Sequence, residues 1–116
     1  MNFAARLQQR VTFQTYTETS DGHGGFTETA RTVRRRVAAE VVALIGRDLE
    51  RGRQIDPRAS HLVTVRYWHA YPDDLVGGRV IAVWHDGGRD RELEAIEPPR
   101  EVVHRVELAM TCKEAA

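Results

Sequence analysis

At 116 residues, 41% of them hydrophobic, the chain has room for one compact core and none for a second domain. Seventeen basic and seventeen acidic side chains cancel, which weighs against a dedicated nucleic-acid binder, a class usually basic overall. The lone cysteine, Cys112, excludes an internal disulfide, and no apolar run approaches the roughly 20 residues of a membrane span.

Taken in order, the chain reads as short alternating runs separated by turns. Met1 to Arg6 lacks the apolar stretch of a secretory signal, which points to a protein made in a cytoplasm and kept there or released by lysis. Arg10 to Tyr16 sets Val11 and Phe13 on one strand face. Ser20 to Gly25 is a turn, and Phe26 to Val33 a polar, threonine-rich returning strand. From Val33 to Leu44, period-two Val37, Ala39, Val41 and Ala43 give one long strand, or two with a bend near Arg34, Arg35 and Arg36. Gly46 breaks that run. Residues 47–54 read as a short helix that Gly52 weakens by about 1 kcal/mol relative to alanine, and Asp56-Pro57 stops it.

His61 to Tyr67 is a further strand, Trp68 to Gly78 a loop, and Val80 to Trp84 another strand. Asp86-Gly87-Gly88 suits a tight hairpin, with Arg91 to Ile96 pairing back. After Pro98-Pro99, Val103 to Cys112 forms the last strand, with Val106, Leu108, Met110 and Cys112 alternating. The expected architecture is mainly β: a small antiparallel β-barrel or sandwich of six or seven strands, with one short helical or disordered insertion at residues 46–58. Its core is expected to hold Val11, Phe13, Val63, Val65, Ile81, Val83, Val106 and Leu108.

Candidate chemistry is sparse. The five histidines form no metal-ligand spacing, no second cysteine completes a pair, and neither serine sits in a nucleophile elbow. No catalytic residue, metal or cofactor is therefore assigned. Charge is uneven along the chain. Residues 1–66 hold eleven arginines against seven acids, and residues 67–116 six basic residues against ten acids. Two readings stand: ordinary surface variation, or a part stacked between two different partners. The Arg34-Arg35-Arg36 run is either a charged strand edge that discourages aggregation or a contact to DNA phosphate or a partner. Tyr67, Trp68 and Tyr71 suit packing better than base stacking.

Several pieces, in order and spacing, resemble the tailed-phage head-closure (head–tail joining, or stopper) family across nearly the whole chain. They are Arg10-Val11-Thr12-Phe13-Gln14, then Asp21-Gly22-His23-Gly24-Gly25-Phe26, then Ala38-Ala39-Glu40-Val41 with Gly46-Arg47-Asp48. Ser60 to Tyr67 follows as Ser-His-Leu-Val-Thr-Val-Arg-Tyr, and the chain closes on Cys112-Lys113-Glu114. It departs from that family in carrying arginines where a tryptophan often precedes the Ala/Val strand, and Asp48 in place of a glutamate.

The resemblance implies a non-enzymatic virion subunit at the head–tail interface, assembled in the bacterial host cytoplasm. It would form a ring between the portal–adaptor connector on the head side and a tail protein on the other, closing the channel on packaged DNA. It also implies that residues 46–58 are a flexible insertion between barrel strands. Arg47, Asp48, Glu50, Arg51 and Arg53 would then face the channel or a partner. The isolated chain is expected to be monomeric or weakly self-associating, because no long apolar segment is left over. Two readings compete: a small nucleic-acid-binding barrel of OB type, which calls for a basic, aromatic-lined groove, and a small enzyme, which calls for a pocket with convergent polar groups.

Overall fold

The computed structural model describes residues 3–75 and 78–114. Gly77 of the expected Trp68–Gly78 loop, and Met1 and Asn2 ahead of the first strand, lie outside the described residues. Among the described residues, seven strands run in chain order: β1 (Gln9–Ser20), β2 (Phe26–Ala43), β3 (Ala59–Arg66), β4 (Arg79–Asp86), β5 (Arg89–Ala95), β6 (Arg100–Val103) and β7 (Glu107–Glu114). Three helices accompany them there: α1 (Phe3–Arg6), α2 (Gly46–Ile55) and α3 (Tyr71–Asp74). Asp73 and Asp74, expected in a loop, thus fall in a single helical turn.

All pairings are antiparallel, in the order β3-β2-β1-β4-β5-β7-β6, and β3 also pairs with β7. Six strands are therefore hydrogen-bonded in a ring, which removes the open edges that a flat sheet would expose. Alternation along the strands sends one set of side chains into this ring. Val11, Phe13, Ala39, Val63, Val65, Ala82, Leu93, Leu108, Met110 and Cys112 form its buried cluster. Trp68 packs on Phe13 with ring centroids 5.7 Å apart, and Tyr67 and Tyr71 lie against the same cluster. These aromatic rings are packing residues.

The β4–β5 hairpin turns through Gly87 and Gly88, both at positive φ (58° and 88°). This is the two-residue connection in which only glycine, asparagine or aspartate is comfortable. The alternative between one long strand and two is settled as one strand with a kink. Val11 pairs with Val37 but Phe13 with Arg34, so the register shifts opposite Thr12 and Arg36 sits at φ 50°.

Of the expected core, Val11, Phe13, Val63, Val65 and Leu108 are buried in the cluster. Ile81 is buried but lines a depression on the outer face with Tyr16 and Arg79, and Val83 is half-buried on that face. Val106 is a correction. It is 46% exposed, in a turn between β6 and β7, and its N–H bonds Val103 O at 2.9 Å. The alternation read from Val103 to Cys112 ran through a reversal of the chain. Period two carries no information across a turn, so only its second half matched a strand.

Candidate functional site

Residues 46–58 fold as α2 plus the turn that returns to β3. The segment has few apolar side chains, and its attachment comes from other groups. Gly52 is buried, and a Cβ there would stand 3.1 Å from Ala59 Cβ and 3.3 Å from both Leu44 Cδ1 and Thr111 Cγ2. Glycine at this position lets the helix backbone lie directly on β3 and β7. Beside it, Arg51 donates to both carboxylate oxygens of Glu97, at 3.1 and 2.8 Å, and to Thr111 Oγ1 at 3.0 Å. Glu97 also accepts from Arg100 at 2.7 Å and from Thr111 at 2.9 Å. Hydrogen bonding to Arg51, above all, holds the Glu97 carboxyl below the usual carboxylate range.

Further along, Asp56 accepts from the Arg58 backbone N–H at 2.8 Å and from Lys113 Nζ at 3.2 Å. These donors, the Arg58 N–H first, lower its pKa to about 2. Lys113 in turn reaches Glu94 at 3.2 Å.

The five residues singled out on this segment therefore divide. Arg51 turns toward the body of the subunit. Arg47, Asp48, Glu50 and Arg53 are exposed. Arg47, Glu50 and Arg53 bond no other side chain among the described residues. The partners of Arg51 escaped the sequence reading because Glu97 lies 46 positions away and carries no motif.

Arg34, Arg35 and Arg36 are all exposed at the kink of β2, ten to twelve residues ahead of α2. Arg34 stacks over the Trp68 ring at 4.8 Å. The Arg36 backbone N–H donates to Thr12 Oγ1 at 3.1 Å, and that oxygen lies 2.7 Å from His85 Nε2. His85 Nδ1 is 2.8 Å from Asp90 Oδ1. The order hydroxyl, imidazole, carboxylate is that of an activated nucleophile. Here, though, the hydroxyl is nearly buried and already receives the Arg36 N–H, which leaves it no free approach for a substrate carbon. The chain ties the kink to the β4–β5 hairpin.

The outer face of β1, β4, β5 and β7 holds a depression of about 410 Å³ lined by Tyr16, Arg79, Glu94 and Lys113. Its charged groups are largely paired with one another: Arg79 with Glu28 and Glu94, and Lys113 with Glu94. No group of three or more metal-ligating side chains occurs among the described residues, and no helix is long and apolar enough to cross a membrane.

The scaffold thus presents charged surface segments on a closed sheet. A family model described as phage head completion protein matches residues 3–114. The chain belongs to that family. Phage head completion proteins are structural components of the virion and not enzymes, and they work among other head and tail proteins. None of the curated proteins matches. Among solved structures, the chain is similar to the solution structure of protein SF1141 from Shigella flexneri 2a. The TM-score is 0.72 at 23% identity, covering 100% of this chain and 98% of that one, a likeness of fold.

Proposed function

We propose that this head completion protein assembles into a ring between the portal–adaptor connector and the tail, and closes the DNA channel after packaging. The outward face of α2 is the closing element. The observation that carries this reading is the division of α2 into two faces. Arg51 and Gly52 hold one face to the body, Glu50 and Arg53 stand exposed on the opposite face, and Arg47, one turn before Arg51, is exposed as well, none of the three with a side-chain partner among the described residues. In a ring, these charges of both signs pair between neighbouring copies, and the arginines meet DNA phosphate. Residues 46–58 act as a flexible insertion between the strands once the Arg51–Glu97 and Asp56–Lys113 contacts release. Gly46, at φ 58°, is the entering pivot, and Pro57 marks the exit. The Arg34–Arg36 cluster supplies a second contact, to a partner or to DNA.

The test separates the face from its anchor. A variant carrying Arg47→Glu, Glu50→Arg and Arg53→Glu keeps Arg51 and Gly52, so the subunit folds and docks. Tailless heads carrying it are expected to lose packaged DNA, as are heads carrying a deletion of residues 48–56. Full DNA retention by both would overturn channel closure by this segment.

A further inference from the structure

β1 and β2 are much longer than the ring requires. β4 leaves β1 at the Tyr16–Arg79 pair, and β3 joins β2 only from Ala39. Beyond those points residues 17–29 continue as a two-stranded arm, paired from Thr17–Thr29 to Ser20–Phe26 and exposed at nearly every position. The arm helps stretch the molecule to 55 × 32 × 29 Å. An isolated two-stranded ribbon is marginal in water, and this one places Phe26 at its tip, 70% exposed.

Charge along the arm is polarised. Residues 17–29 contain Glu18, Asp21 and Glu28 and no lysine or arginine, while residues 31–36 contain Arg31, Arg34, Arg35 and Arg36 and no acid. Within the chain, Arg79 takes up Glu28, and Asp21 caps its own turn through the His23 and Gly25 N–H groups. Glu18 has no cationic partner, and Arg34, Arg35 and Arg36 have no carboxylate partner among the described residues. The two ends cannot neutralise each other in one molecule. At about 3.3 Å per residue, Phe26 and Arg35 on the same strand are roughly 30 Å apart. The free arm itself is four residue pairs, roughly 13 Å at about 3.3 Å per residue, enough to rest on the adjoining surface of a neighbouring copy.

We propose that the arm of one copy docks on the β2 kink of the next, with Glu18 facing Arg35 and Phe26 resting on the arginine planes. The contact joins two different surfaces of one chain, the head-to-tail type that closes into rings. A phenylalanine ring against guanidinium groups adds a cation–π attraction to the ion pairs. The inference rests on the ring assembly proposed above, and it assigns Arg34–Arg36 to a second copy in preference to DNA.

Disulfide trapping tests it. Glu18→Cys and Arg35→Cys proteins are mixed under oxidising conditions over a concentration series into the millimolar range. Cys112 does not compete, being fully buried with its thiol pushed up to about 12 by burial. The mixture is expected to give a dimer joining the two variants. Neither variant should cross-link alone, and E18C/R35C should give a ladder of oligomers. In parallel, Glu18→Arg and Arg35→Glu should each weaken self-association by about tenfold through like-charge contact, and the double reversal should restore it. Cross-links between like variants only, or none at any concentration, would overturn the inference. So would a double reversal that restores nothing while Arg35→Glu alone releases bound duplex DNA, since the cluster would then face the channel. A ring seen on connectors without the Glu18–Arg35 link discards the arm contact and leaves ring assembly standing. Cross-linked oligomers from variants whose heads still leak DNA keep the contact and discard closure.

Discussion

Arg51 grips Glu97 with two parallel hydrogen bonds, 3.1 and 2.8 Å long, across 46 positions of chain. The fork of a guanidinium matches a carboxylate edge, and such bidentate pairs fix direction as well as distance. Through this pair a helix with little apolar surface is held to the sheet on one face while the other stays available.

Removing that grip should loosen α2 before it unfolds the protein. The Arg51 side chain is 42% exposed, so water screens the pair, and Arg51→Ala should cost at most about 1 kcal/mol of global stability. Amide exchange within residues 46–55 should accelerate far more than exchange in β3 or β7. Arg51→Lys should not rescue protection, because an ammonium cannot make the paired contact. Unchanged exchange across α2 in Arg51→Ala would show that Gly52 packing alone seats the helix.

Gly52→Ala sets two effects against each other. Alanine gains about 1 kcal/mol of helix propensity. Its Cβ must displace Ala59, Leu44 and Thr111, which stand 3.1–3.3 Å away, and overpacking of this kind costs about 1–3 kcal/mol. The clash is expected to win or cancel, so urea unfolding should show the variant no more stable than wild type. A clear gain in midpoint would mean that α2 stands off the sheet.

The kink of β2 depends on Thr12. Thr12→Val removes the acceptor for the Arg36 N–H and the partner of His85, and should destabilise by about 1–3 kcal/mol. Thr12→Ser keeps the hydroxyl and should recover most of that. Arg36→Gly should be neutral or stabilising by up to about 1 kcal/mol, because φ 50° strains a residue with a Cβ. Thermal unfolding of the three variants checks the ranking.

Acid should release the end of α2 in a defined window. Asp56 is lowered from an ordinary carboxylate value near 4 to about 2. A carboxylate depressed in the folded state contributes stability above its unfolded pKa and loses it as pH falls through the folded one. The Asp56 contacts with Arg58 and Lys113 should therefore weaken between about pH 4 and about 2, and Glu97, also lowered, should follow the same direction. Carboxyl carbon shifts followed by NMR should show Asp56 titrating near pH 2. An ordinary midpoint for Asp56 would exclude this anchor.

Much was legible from sequence because it is local. Period-two alternation marked Val11, Phe13, Val63, Val65 and Leu108 as core, since a strand must send alternate side chains to opposite faces. Gly87-Gly88 marked a hairpin through its backbone freedom, the arginine run marked the bend in β2, and the order of the motifs pointed to the family. What only the tertiary structure decided involves groups distant along the chain. Gly52 reads in sequence as a weak point in a helix, and in the fold it is the place where that helix touches two strands. Arg51 reads as one of several exposed arginines, and is set apart only because ring closure brings Glu97 and Thr111 beneath it. Val106 reads as core by alternation, and turns outward because the chain reverses there to satisfy the Val103 carbonyl. The arm, too, emerges only once the partners of β1 and β2 are known, because strand length is visible locally whereas the point at which a neighbouring strand ends is not.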